Sequence, residues 1–340
     1  MQVFVTGGAG YIGSVTAAIL IQAGHSVTIY DSLVTGHQAA VPQGADFIQA
    51  DLGDSADLAK ALNERRYDAV MHFAAFIEAG ESMKNPGKFF RNNLMNSLGL
   101  IETAVQTGVR RFVLSSTAAV YASSDEPLSE ESALGPTNVY GQTKLMVEQA
   151  LNWYLKIDGM RYAALRYFNA AGALPEQGED HCPESHLIPL VLRVALGKRP
   201  AISIYGSDYP TPDGTNIRDY IHVVDLASAH LLALEALEKN DQLVYNLGNG
   251  EGYSVRAVIE YARQVTGRPI PAIESPRRPG DSARLVACSE RIRRELGWQP
   301  RYPELKDIIA SAWEWHRTHP DGYANGKQND YEVGAGLCGK

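Results

Sequence analysis

Short apolar runs recur along the first half of the chain, each followed by a stretch with apolar residues at helical spacing. "QVFVTG" (2–7) reads as a buried strand, and residues 11–23 as the helix after it. "SVTIYDS" (26–32), "ADFIQADL" (45–52), "YDAVMHFAA" (67–75), "RRFVLSST" (110–117) and "MRYAALRYFNAAG" (160–172) predict further strands, with helical stretches between them. Repeated strand–helix units predict an α/β fold with a doubly wound parallel sheet and helices on both faces. Beyond residue 172 the pattern is less regular, and helices are expected over 186–197, 225–238, 254–266 and 303–318. The expected organisation is a sheet domain over 1–172 and a smaller C-terminal domain over 173–320, some of whose strands return to the sheet. A polar, Gly-rich and mobile tail would follow over 321–340.

Composition narrows the function. The 340 residues are 45% hydrophobic, ample for a core. A net charge of −8 argues against a general nucleic-acid binder but leaves room for a local basic pocket. Cys182, Cys288 and Cys338 are widely spaced. They fit neither a disulfide framework nor a zinc site, which favours a reducing compartment. No secretory signal precedes the first strand and no apolar run is long enough to span a bilayer, so a cytoplasmic location is expected. No metal site is read from the sequence.

"TGGAGYIG" (6–13) joins the first strand to the first helix, with Gly7, Gly10 and Gly13 in a GxxGxxG spacing. Glycines permit a tight turn and close approach of a phosphate to backbone. The helix start, at Tyr11 and Ile12, offers free N–H groups and the positive end of a dipole to a pyrophosphate. Asp31 closes the second strand, eighteen residues past Gly13. A carboxylate there accepts hydrogen bonds from adenosine ribose hydroxyls and repels a 2′-phosphate, which favours NAD over NADP. Together these features mark a Rossmann-type dinucleotide site.

"NVYGQTK" (138–144) puts Tyr140 and Lys144 one helical turn apart, after a strand carrying Thr117. By itself such a pair usually means a packed Tyr and a solvated Lys. Here it follows a parallel strand, Gly141 costs about 1 kcal/mol in a helix interior unless something approaches closely, and Val147 and Leu151 aim the same face inward. A phenol near pKa 10 needs about 4 kcal/mol of differential stabilisation to act as a base near pH 7. A nearby ammonium and a cationic nicotinamide would both favour phenolate. Tyr140 is thus expected to take a proton from a substrate hydroxyl while hydride leaves the same carbon, with Thr117 bridging the two oxygens and Lys144 holding ribose hydroxyls.

With these motifs the chain resembles the extended short-chain dehydrogenase/reductases, and more narrowly the UDP-glucose 4-epimerase family. The likeness rests on "TGGAGYIGS", "HFAA…GES", "SST…VY", "YGQTKLMVEQ", "LRYFNAAGA", "DYPTPDGTNIRDYIHVVDLA", "YNLGNG" and "RRPGD", from Met1 to about Tyr323. The resemblance implies an NAD-holding homodimer that oxidises a UDP-sugar at C4 and returns the hydride to the other face. It implies that Asp51, Leu52, Phe73, Ala74, Ala75, Asn92, Ser115 and Phe168 lie near NAD. Asn169, His186, Leu187, Tyr205, Arg218, Arg278, Asp281 and Leu285 would lie near the UDP-sugar. Arg218 and Arg278 suit a diphosphate, Asp281 the uridine ribose, and Tyr205 the uracil. Leu285 stands where a large Tyr would close the pocket to an N-acetyl group, so N-acetylated sugars are expected to enter. Thr117 replaces a frequent Ser with the hydroxyl kept, and Ile77 replaces a Lys found in some members.

Three rival readings share parts of this pattern. Sugar-nucleotide dehydratases resemble one another in an Asp-Glu pair after the Thr. Ala118 and Ala119 stand there and transfer no proton. UDP-pentose or UDP-uronate 4-epimerases share the same core chemistry and stay open. A non-catalytic NAD-binding protein would be expected to have lost Tyr140 or Lys144, and both are intact.

Overall fold

The computed structural model describes residues 1–278 and 281–323. Its centre is a parallel sheet of β1 (Gln2–Thr6), β2 (Ser26–Asp31), β3 (Asp46–Gln49), β4 (Ala69–His72), β5 (Arg111–Thr117), β6 (Arg161–Tyr167) and a seventh strand, Gln242–Leu247. The order is Gln242–Leu247, β6, β5, β4, β1, β2, β3, every neighbouring pair parallel. Parallel neighbours need crossovers, and the helices supplying them cover both faces. On one face Ala17 and Leu20 of α1 (Tyr11–Gln22) and Leu226, Ala229 and Ala233 of the helix Val223–Ala236 pack on the apolar side chains of β1, β2 and β4. On the other, Leu58, Leu62, Leu100, Ile101, Val147 and Leu151 meet Phe4, Val70, Phe112 and Leu114. The fold is α/β of the Rossmann type.

A third core lies outside the sheet. The helices Leu187–Ala195, Val255–Thr266 and Leu305–Thr318 close over the paired strands Ile202–Tyr205 and Ala272–Ser275. The four helices expected past residue 172 are all present, each within a few residues of its expected bounds. The run 160–172 divides at Phe168: β6 stays in the sheet, whereas Asn169–Ala171 pairs in parallel with Tyr220–His222. That break carries the chain from the carboxyl end of β6 out of the sheet.

The start of the expected tail is packed rather than free. Tyr323 donates its backbone N–H to Asp180 Oδ2 at 2.9 Å and accepts from Gly178 N at 2.9 Å, with its ring 5.3 Å from that of Trp315. The rest of the tail, including Cys338, lies outside the described residues. Cys288 is a free thiol. Among the described residues no helix is long and apolar enough to cross a membrane.

Candidate active site

In-register pairing places Thr6 beside both Tyr30 and His72, so the chain leaves β1 at the point where strand order reverses. Ligands bind at such a switch point in open α/β sheets. Gly7 follows with φ of +73°, and a Cβ there would lie 2.4 Å from the Ala74 nitrogen. Only glycine lets the turn pass so close to the end of β4. No side chain caps α1 at Gly10 and its first turn holds no acidic residue, so its first N–H groups face the cleft unclaimed by protein side chains. That is a fitting seat for a pyrophosphate. Asp31 lines the same cleft while its Oδ2 accepts from Ala9 N at 3.0 Å and its Oδ1 from Leu33 N at 2.8 Å. It therefore shapes the glycine loop as well as facing the ligand side.

The cleft has a volume of about 310 Å³, within the usual range for small-molecule and cofactor sites of about 300–1,000 Å³. Gly7, Gly10, Tyr11, Ile12 and Gly13 line it from the loop, with Asp51, Leu52, Phe73, Ala74, Ala75 and Asn92 opposite. Thr117, Tyr140, Phe168, Asn169 and His186 line its far end. A second cavity, of about 210 Å³, opens beyond, and Asn169, Ala170 and His186 line both. Leu187, Tyr205, Arg218, Arg278 and Asp281 face this second cavity. Arg278 stacks 3.8 Å over the Tyr205 ring, and Arg218 sits 3.7 Å from Asp281. Arg199 and Asn216 also line it. Sequence reasoning missed both; Arg199 stands in an unremarkable "GKRP" loop.

Tyr140 and Lys144 lie in the helix Val139–Asp158, which starts where Asn138 Oδ1 accepts from Gly141 N at 2.9 Å. Ser82, in the "GES" motif, accepts the Tyr140 backbone N–H at 3.1 Å. A Cβ on Gly141 would stand 2.2 Å from the Ala119 carbonyl oxygen, which accounts for glycine inside this helix. Lys144 is buried and donates from Nζ to the Ser115 carbonyl at 2.9 Å. The Thr117 hydroxyl accepts from Ala119 N at 3.1 Å and faces the cleft with Tyr140.

Burial pushes the Tyr140 phenol up to about 12, with a Thr117 hydrogen bond opposing and Glu78 adding to the rise. Burial pushes Lys144 down to about 8, against the pull of Glu148 one turn away. The chain alone therefore does not lower the phenol through Lys144 as the sequence suggests, because desolvation dominates and the ammonium is turned toward Ser115. Below it, Glu148 and Arg166 form a buried pair, 2.6 Å from Nη2 to Oε2, tied to β5 through the Ser116 hydroxyl.

Three expected positions line neither cavity, the first being Lys144, whose ammonium is turned to the Ser115 carbonyl. Ser115 hydrogen-bonds through its hydroxyl to Tyr167 and is not among the residues lining the cleft. Leu285 lies beside Arg218 in a parallel bridge and packs against the cluster of Ala118, Tyr121 and Phe168, lining neither cavity. Side chains alternate along a strand, so a position read from sequence motif alone faces the wrong side as easily as the right one.

At the junction of the cavities Glu179, His181, Glu184 and His186 converge, of which only His186 was expected. His186 Nδ1 lies 2.9 Å from Glu179 Oε1 and 2.8 Å from Glu184 Oε1. The two carboxylates raise the imidazole well above its ordinary range, and the imidazoles hold Glu179 below the usual carboxylate range despite burial.

A glycine-turn cleft with a Tyr and a Thr hydroxyl at its far end, meeting a basic pocket at Asn169, Ala170 and His186, is a Rossmann-type dinucleotide site beside a pocket for an anionic ligand. Residues 3–248 match the NAD dependent epimerase/dehydratase family. A UDP-glucose 4-epimerase of Lacticaseibacillus casei is 46% identical over 329 residues, covering 96% of this chain and 99% of the relative. A crystal structure of a UDP-glucose 4-epimerase is 48% identical with a TM-score of 0.93, covering 96% of this chain and 100% of that one. The UDP-glucose 4-epimerase of Bifidobacterium longum, solved with NAD+ and UDP, is 36% identical with a TM-score of 0.91, covering 95% and 100%. The chain belongs to the NAD dependent epimerase/dehydratase family. Within that family it stands among the epimerases, as an isomerase that works with NAD.

Proposed function

We propose that this chain interconverts UDP-glucose and UDP-galactose by transient oxidation at C4. The carrying observation is that Tyr140 and Thr117 face one end of the cofactor cleft, where it meets a pocket holding Arg199, Arg218 and Arg278. Those guanidiniums fit a diphosphate, which would set the hexose between the pocket and Tyr140. The body around residues 173–320 would hold the nucleotide and the sheet domain the cofactor, with α1 receiving its pyrophosphate and Asp31 its ribose. When bound, NAD supplies the hydride acceptor for C4, the hydride donor for return, and a positive charge that opposes the desolvation of Tyr140. Tyr140 takes the C4 hydroxyl proton and gives it back after the 4-keto sugar turns over, and Thr117 orients both oxygens. Lys144 holds the end of β5 through the Ser115 carbonyl.

The exposed side chains of Met95, Trp153 and Ile157, on helices that pack together, support a homodimer. A cytoplasmic location follows from the same reading. Leu285 packs against the cluster that holds Phe168 and lines neither cavity, so entry of N-acetylated sugars rests on the resemblance and is a matter for substrate profiling. Purified protein should release NAD on heating and convert UDP-galactose without added cofactor. Tyr140→Phe should keep the NAD and lose at least about a hundredfold in kcat. Wild-type protein inactive on UDP-galactose, UDP-xylose, UDP-glucuronate and UDP-N-acetylglucosamine alike would overturn the reading.

A further inference from the structure

The segment "EDHCPESH" (179–186) crosses the junction of the two cavities, between the strand Asn169–Ala171 and the helix Leu187–Ala195. We propose that Glu179, His181, Glu184 and His186 bind a divalent transition metal there, zinc by their donor set. One ligand atom from each of the four lies within 4.8 Å of every other. Around a tetrahedral zinc, bound at about 2.0–2.2 Å, ligand atoms stand roughly 3.4 Å apart. Two imidazoles with two carboxylates suit zinc, whereas calcium and magnesium take oxygen almost alone.

Hydrogen bonding within the cluster leaves it incomplete. His186 Nδ1 stands 2.9 Å from one carboxylate and 2.8 Å from the other, yet it carries one hydrogen at most. The Glu184 side chain is 0% exposed, and among the described residues its Oε2 has no hydrogen-bond partner. His181 Nδ1 is also buried and 3.3 Å from Glu179 Oε1, without hydrogen-bond geometry. Buried polar atoms with no partner are uncommon and ask for a reason. A cation among these four satisfies both atoms and neutralises two carboxylates beside a cleft built for an anionic ligand. Its effect would be to pin the wall shared by the two cavities, which both contain His186.

The rival is a cluster held by protons alone. Holoprotein dialysed against metal-free buffer should retain about one zinc per chain by elemental analysis. Replacement by Co2+ should give the intense visible bands of a four-coordinate site with nitrogen and oxygen donors. Glu184→Gln and His181→Ala should each weaken zinc binding at least about tenfold in chelator competition, with circular dichroism and NAD content confirming the fold. If a variant fails to fold, the wild-type zinc titration and cobalt spectrum decide. Wild-type protein that takes up neither added Zn2+ nor Co2+, or folded variants that bind zinc as tightly as wild type, would overturn the site.

Discussion

Replacing Gly141 by Ala is a small change with two opposed consequences. In an isolated helix the substitution stabilises by about 1 kcal/mol. Here the new methyl would lie 2.2 Å from the Ala119 carbonyl oxygen, against ordinary contact from 3.4 Å, so about 1.2 Å of separation must be found. The opposing atoms are backbone and do not rotate away. Overpacking of this kind costs about 1–3 kcal/mol, leaving a net loss of roughly 0–2 kcal/mol after the helix gain. The catalytic effect should be larger. Ala119 donates its N–H to Thr117, so moving it moves the hydroxyl that faces Tyr140. A displacement near 1 Å at reacting groups costs about a hundredfold. Steady-state kinetics on UDP-galactose, chemical denaturation and heat-released NAD would be compared with wild type. We expect kcat to fall by about 10- to 100-fold with NAD retained, because the glycine loop lies elsewhere. A variant that is both more stable and fully active would refute the close approach as the reason for Gly141.

Asp31→Ala removes the acceptor of two backbone N–H groups and, on the proposed function, the acceptor for the cofactor's ribose. It should cost about 1–3 kcal/mol of stability and shorten NAD retention; unchanged NAD content after dialysis would reduce Asp31 to a passive position. Glu148→Ala strands the buried Arg166 guanidinium and should cost about 3–5 kcal/mol by denaturation; a loss below about 1 kcal/mol would show the pair to be solvated. His72, His222 and His230 are buried and pushed down, to about 3, about 4 and about 4. Below pH 6.5 the unfolded chain takes up protons there that the folded chain refuses, so stability falls with pH. Asp219, pushed up to about 6 by burial, opposes this by one proton. The net of about two protons gives a slope of roughly 3 kcal/mol per pH unit between pH 6 and 4, and a urea midpoint level across that range would contradict it.

Sequence by itself determined whatever depends on near neighbours along the chain. Apolar runs and helical spacing set the strand–helix alternation, because β1 to β6 and their crossovers each carry their own period. The glycine turn and the Tyr140–Lys144 helix were legible for the same reason: each is one local geometry with its constraint written in a few adjacent residues. Tertiary structure decided what rests on contacts far apart in sequence. The strand Gln242–Leu247 joins the sheet only by pairing with β6, some 80 residues earlier, and its short run reads like any other. Arg199 lines the basic pocket together with residues far away in sequence, such as Asn169 and Arg278, and Leu285 packs near Phe168 while paired with Arg218. The direction of the Tyr140 shift belongs here too, since composition shows a lysine four residues on but not how much water the fold removes. Glu179, His181, Glu184 and His186 are close in sequence, yet a loop has no fixed period to say which side chains point together. Only packing against the two cavities brings their donor atoms to one place.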